Sequence, residues 1–320
     1  MFAGLRRLSL TVLGAGLSIA LALPAGAKDS DSLDKLKLPG ISTYAPPHAG
    51  TQLARGDGEI TLSAQLTDKG EEITRGLVWR VFRPEPDADG KLPLVASAQG
   101  GTAAFQLQPG SYLVHASYGR AGATKRITVG RDAKRESMVL DAGGLKLDAT
   151  LAGGIRIPRE KLRFSIYEAR SGKDDEKALI IPNVQPNSVV RLNAGVYNVV
   201  STYGSVNAVI RSDIRVEAGK LTEATVEHRA AEITLKLVRE AGGEALADTS
   251  WSVLNESGDS LKEAVGAFAP MVLAEGNYTV IAKNRDRIYQ KDLTVEAGKN
   301  GEVEVVASEA TAIDPAEGAD

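Results

Sequence analysis

Three landmarks recur in the same order along this chain, and that repetition constrains the fold more than any other feature. The first is an alternating apolar opening: Ile60-Thr61-Leu62, Leu145-Lys146-Leu147 and Ile233-Thr234-Leu235. The second is an aromatic residue with an aliphatic one two positions on: Trp79 and Val81, Phe164 and Ile166, Trp251 and Val253. The third is Gly-x-Tyr-x-Val, at Gly110 to Val114, Gly195 to Val199 and Gly276 to Val280. Openings at 60, 145 and 233 lie 85 and 88 residues apart; aromatics at 79, 164 and 251 lie 85 and 87 apart; glycines at 110, 195 and 276 lie 85 and 81 apart. A period of this length is too long for a solenoid unit and suits a small independent domain.

Each repeat is patterned for strands. Along Tyr112-Leu113-Val114-His115-Ala116-Ser117-Tyr118, residues 112, 114, 116 and 118 share one face, the period-2 signature of a half-buried strand. Tyr197, Val199, Ser201 and Tyr203 repeat it, as do Tyr278, Val280, Ala282 and Asn284. Further strands follow at Ile127-Thr128-Val129, Ile214-Arg215-Val216 and Leu293-Thr294-Val295, and closing strands at 136–140, 223–227 and 302–306. About seven short strands per repeat, with turn signals every eight to twelve residues, predict an all-β chain of three tandem immunoglobulin-like β-sandwiches. The expected divisions are 58–141, 142–230 and 231–307. Before them stand a signal peptide over 1–27 and a Pro-containing lead-in over 28–57; after them, an acidic, Ala-rich tail over 308–320 reads as disordered. The joints, Asp141-Ala142-Gly143-Gly144 and Arg229-Ala230-Ala231, are short. They predict a semi-rigid string.

Export is expected from the N-terminus. Arg6 and Arg7 precede the apolar run from Leu8 to Leu23, and Ala25-Gly26-Ala27 fits the small-x-small cleavage rule. Cleavage after Ala27 would leave a periplasmic or secreted protein. It would also remove two of 38 basic residues, leaving 36 against 41 acids, a formal charge of −5. No basic block stands out, so nucleic acid is a poor partner. No second stretch is long and apolar enough to span a membrane. The chain has no cysteine, so disulfides, thiol nucleophiles and cysteine-ligated metals are excluded.

Leu107-Gln108-Pro109-Gly110-Ser111-Tyr112-Leu113-Val114 and Leu192-Asn193-Ala194-Gly195-Val196-Tyr197-Asn198-Val199, each preceded by an aromatic strand, resemble the carboxypeptidase regulatory-like modules. These are transthyretin-like (prealbumin-like) relatives of the immunoglobulin sandwich. The resemblance covers roughly residues 58 to 307. It implies spacer, docking or accessory binding roles and brings no catalytic residues. On physical grounds the Gly would permit a tight turn, the Tyr would form a tyrosine corner, and the Trp or Phe would fill the space between the sheets.

Candidate sites are few. His48, His115 and His228 pair with nothing at metal-ligand spacing and read as exposed. Glu85-Pro86-Asp87-Ala88-Asp89-Gly90 resembles the start of a calcium loop but has Ala96 at the position of the bidentate ligand. Gly172 to Glu176 and Asn255 to Asp259 fall in the matching loops, and all three suit solvated hairpin tips. No Gly-x-Ser-x-Gly or phosphate-binding loop is present, and no cofactor or metal is expected. Tyr118 and Tyr203, at equivalent strand ends, suit packing, with stacking on a glycan as the alternative. In the third repeat Lys283, Asn284, Arg285 and Arg287 replace a Tyr-Gly segment. They are the candidate partner surface. The expectation is a non-catalytic scaffold for a cell-envelope protein, with a carbohydrate-binding accessory or an enzyme with a dispersed inter-domain site as alternatives.

Overall fold

The computed structural model describes residues 57–169, 178–308 and 312–313. The signal peptide, the lead-in up to residue 56 with His48, the acidic loop Gly172 to Glu176 and the rest of the tail lie outside the described residues.

The first sandwich runs β1 (Gly58–Gln65), β2 (Leu77–Phe82), β3 (Leu94–Gly100), β4 (Ala103–Leu107), β5 (Gly110–Tyr118), β6 (Ala121–Val129) and β7 (Lys134–Val139). One sheet has the order β4-β1-β7 and the other β3-β2-β5-β6. All pairings are antiparallel except β1 with β7, which is parallel. A parallel pair needs a long crossover. Here the chain crosses through the opposite sheet and back, so opening and closing strands of every repeat end up side by side.

The second sandwich repeats this plan with β8 (Ala142–Leu151), the two-residue β9 (Ile155–Arg156), β10 (Leu162–Glu168), β11 (Leu179–Val184), β12 (Val189–Asn193), β13 (Gly195–Tyr203), β14 (Ala208–Val216) and β15 (Leu221–His228). Its sheets are β12-β8-β15, with β9 on β8, and β11-β10-β13-β14. The third has β16 (Ala230–Val238), β17 (Thr249–Leu254), β18 (Ser260–Val265), β19 (Phe268–Ala274), β20 (Gly276–Asn284), β21 (Arg287–Val295) and β22 (Gly301–Val306). Its sheets are β19-β16-β22 and β18-β17-β20-β21, the latter extended by β23 (Ala312–Ile313) on the free edge of β21.

The alternation seen in sequence is the core pattern. Ile60, Leu62 and Ala64 on β1 are buried, while Glu59 before them is exposed and Thr61 between the first two is half-buried. Trp79, Phe164 and Trp251 are buried at the centres of their sandwiches. A buried indole must satisfy its N–H, and Trp79 Nε1 donates to Gly101 O at 2.7 Å, Trp251 Nε1 to Gly266 O at 2.9 Å. Each bond pins the turn that takes the chain from one sheet to the other. Phe164 has no such donor, and the corresponding connection instead bonds Asn187 N to Leu147 O at 2.7 Å.

The three tyrosine corners are present. Tyr112 Oη donates to Gln108 O at 2.8 Å, Tyr197 to Asn193 O at 2.8 Å and Tyr278 to Ala274 O at 2.7 Å, each four residues upstream. The glycine before them departs from expectation. Only Gly276 has a positive φ, of 154°. A methyl group on Gly110 would make an ordinary 3.8 Å contact with the Tyr112 ring. In the first two repeats, then, backbone freedom is not what this glycine supplies.

Candidate functional site

The described residues offer no assembled catalytic centre, and no group of three or more His, Asp or Glu is placed to hold a metal ion. Asp87 of the calcium-like loop spends its carboxylate on its own turn: Oδ1 accepts from Asp89 N at 3.1 Å and Lys91 N at 2.9 Å. Asn255 does the same in the third sandwich, accepting from Ser257 N at 3.0 Å and Asp259 N at 2.8 Å. These loops are hairpin tips held by side chains that mimic a backbone turn.

Two histidines expected at the surface are buried. His115 points outward by strand parity, yet it sits between its cross-strand neighbours Arg80 and Thr124, with Nδ1 2.9 Å from Thr124 Oγ1. Gly122 leaves room for the ring: a methyl group there would stand 3.0 Å from His115 Cε1. Burial, assisted by Arg80, lowers the His115 pKa. His228 ends β15 on the core side, with its ring edge-on to Tyr203 at 5.9 Å between centroids. Its Nε2 lies 2.8 Å from Ser201 Oγ, and burial brings its pKa down to about 4. The Ser201–His228 spacing matches a nucleophile and its base. Both residues are 1% exposed, so no substrate reaches them.

What the structure builds with care is the pair of joints. Between the first and second sandwiches, Leu140 N and Ala142 N donate to Gln65 O and Leu66 O, fastening the linker to β1. On the other side Ala194 N donates to Asp141 O at 2.7 Å and Gly219 N to Ala142 O at 2.8 Å. The β5–β6 hairpin tip reaches across as well, with Arg120 N donating to Arg191 O at 3.0 Å. Asn193 completes the clamp: its Oδ1 accepts from Gly122 N, and its Nδ2 donates to Gly122 O and Leu140 O.

The second joint repeats the scheme with other residues. Glu275 N donates to Arg229 O and Gly298 N to Ala230 O, both at 2.9 Å, in the places of Ala194 and Gly219. The clamping amide now comes from the opposite partner. Asn207, in the β13–β14 tip, accepts from Ala274 N at 3.0 Å and donates to Tyr278 Oη at 2.8 Å. Tyr203 Oη donates to Glu232 Oε1 at 2.7 Å, and Lys161 pairs with Glu232 Oε2, so the lysine holds that carboxyl below its usual range. Apolar residues interlock too: Val272 of β19 closes the second core, and Val206 packs on the third.

The tyrosines read as possible glycan platforms belong to these joints. Tyr203 is fully buried and presents no ring face, which removes it from that role. Tyr118 is half-buried under the Arg191 guanidinium, 4.3 Å from the ring centroid. Beside it, Thr67, Glu71, Arg75 and Gly219 line a cleft of about 390 Å³. Lys283, Arg285 and Arg287 are exposed on the β20–β21 tip, while Asn284 Nδ2 donates to Ala247 O at 2.6 Å and Thr249 Oγ1 at 3.1 Å. The asparagine thus holds the base of the tip, and the three cations face solvent.

Fold and joints together define a tandem array of immunoglobulin-like β-sandwiches. The third sandwich carries a recognisable signature: the model of the Rhizobiales growth-associated tandem repeat domain matches residues 232–307. No curated protein matches the chain in sequence. Among solved structures, the Bacillus anthracis TIE protein is 19% identical, with 78% of this chain and 50% of that one covered at a TM-score of 0.22. The chain therefore spans half the length of that protein. GBS52, the minor pilin of Streptococcus agalactiae, is 15% identical over 53% of this chain and 95% of its own, with a TM-score of 0.29. BcpA, the major pilin subunit of Bacillus cereus, is 9% identical over 78% and 99%, with a TM-score of 0.22. Among the described residues no helix is long and apolar enough to cross a membrane.

Proposed function

We propose that this chain is an exported, non-catalytic interaction protein that holds three sandwiches in fixed succession and presents them to a protein partner in the cell envelope. The observation that carries this reading is the duplicated joint. Two linkers use the same pair of backbone bonds, at Ala194 and Gly219 and again at Glu275 and Gly298, to fasten successive modules. Spacing and orientation are what such joints maintain, and that is the requirement of a scaffold. The signal-like N-terminus supports a periplasmic location. The growth-associated description of the matching family supports a place in cell growth. The strand plan, with parallel opening and closing strands, supports kinship with carboxypeptidase regulatory-like modules and sandwich limits at 58–141, 142–230 and 231–307. The basic tip of Lys283, Arg285 and Arg287 is the face we assign to the partner.

Cross-linking of the tagged mature chain inside its own envelope, followed by mass spectrometry, tests this reading. One enriched envelope protein is the expected result; a monodisperse chain that captures nothing would sink it. The cleft beside Tyr118 favours a second reading, an accessory that binds carbohydrate. Retention on peptidoglycan or exopolysaccharide, lost on Tyr118→Ala, would promote it over the first.

A further inference from the structure

The tip of the hairpin between the fifth and sixth strands of the repeat occurs three times and has two different fates. In the first sandwich it carries Gly119 and in the second Gly204, with φ of 66° and 71°. The next sandwich comes close to both, with Gly204 half-buried against it and Gly119 at the exposed rim of its joint. A methyl group on Gly119 would stand 3.0 Å from Arg191 Cβ, and one on Gly204 2.6 Å from Val272 Cβ. Real side chains do not approach as closely as 2.6 Å, so the second joint needs glycine for space as well as for conformation, and at 3.0 Å the first joint would have to give slightly to admit a methyl group. Arg191 and Val272 hold the same place in their modules, just before Leu192 and Leu273 at the end of the fourth strand. In the third sandwich the tip residue is Arg285, in the same left-handed conformation at φ 55°. The turn is kept, at the expense of strain that glycine would avoid, while the space that docking needs is filled.

The opposite end of the array differs as well. The residue that corresponds to Ala194 and Glu275, whose N–H groups fasten a linker, is Pro109, which has no N–H. Gln106 stands where the second and third modules have Arg191 and Val272.

We propose that the array is closed: the C-terminal tip of the third sandwich does not accept a further module of this kind, and copies of the chain do not join end to end. The basic face left at that tip is free for an unlike partner. This goes beyond the scaffold reading, since a scaffold protein of this build could equally polymerise through its ends.

Sedimentation of the full mature chain over a wide concentration range tests the proposal. It is run beside a Gln106→Cys, Asp286→Cys variant that retains Arg285 in a chain with no other cysteine. A joint-like contact between copies would bring positions 106 and 286 together, as it does Arg191 and Arg120. The expected result is a single species at every concentration and no intermolecular disulfide. Association without that disulfide would be lateral and leaves the ends closed. A ladder linked through 106 and 286 would overturn the proposal. Its premise is tested separately by Gly204→Val, with Gly90→Val as the control for backbone strain, since Gly90 has φ 72° and open space around it. Spin-label distances between the second and third sandwiches should broaden only in Gly204→Val. An unchanged distribution would show that docking does not need the tip glycine, and the proposal would fall.

Discussion

Acidification from pH 7 to pH 5 should weaken the second sandwich through His228 alone by about 2 kcal/mol. The imidazole is neutral when folded because burial brings its pKa from 6.5 to about 4. In the unfolded chain it takes up a proton near pH 6.5. Between those values the unfolded state binds more protons, so stability is fully present above pH 6.5 and is lost as the pH falls. The complete loss, reached below pH 4, is about 3 kcal/mol; at pH 5 about 2 kcal/mol of it is expressed. At pH 5 the carboxylates of the second joint, Glu232 and Glu275, stay ionised because Lys161 and Arg229 hold their pKa values down. Whatever they contribute as the unfolded chain begins to protonate is the same in wild type and variant and cancels in the comparison. His115 is also lowered and contributes in the first sandwich. The comparison that isolates the effect is wild type against His228→Gln, which keeps a hydrogen-bonding group for Ser201 without a titrating ring. Urea unfolding at pH 7 and pH 5, read by fluorescence and by amide signals of the second sandwich, gives both free energies. Wild type should lose about 2 kcal/mol more than the variant between the two pH values. Equal losses would refute the argument that His228 is buried neutral.

Other perturbations follow from the same contacts. Trp251→Ala should destabilise the third sandwich by about 3–5 kcal/mol through cavity formation, whereas Trp251→Phe, which loses mainly the bond to Gly266 O, should cost nearer 1–2 kcal/mol; calorimetry on both separates packing from hydrogen bonding. Tyr112→Phe should cost about 1 kcal/mol for its single corner bond. Tyr278→Phe should cost more and raise amide exchange at Ala274, because Tyr278 Oη also accepts from Asn207 across the joint. Arg285→Gly should leave the third sandwich within about 1 kcal/mol of wild type in thermal melts, relief of backbone strain being offset by the added freedom of glycine when unfolded.

The parts of this molecule that are legible in sequence are those determined by neighbours along one strand. Alternation placed Ile60 and Leu62 in the core, and the aromatic landmarks fell at the sandwich centres because a half-buried strand has a strict period of two. The joints were not legible, since their partners come together only when modules dock. Asn193 with Gly122, and Asn207 with Tyr278, are each 71 residues apart in the chain. Parity misplaced His115 for a related reason: it says which face a residue takes, and cross-strand neighbours then covered that face. His228 was misjudged because a strand end at a joint is an interior position. One signal was available. Gly119 and Gly204 recur at one position of the repeat and Arg285 replaces them, a difference readable from the sequence alone.

The central claim, that the third sandwich offers a free basic tip to an envelope partner while its counterparts are occupied by the next module, is tested most directly by site-specific photo-cross-linking in living cells. The photoreactive residue is placed at Arg287 on that tip or at Thr225, which is exposed on β15 well away from it in sequence. The account predicts that Arg287 captures one envelope protein and Thr225 does not. Capture from both positions alike, or from neither, would contradict it.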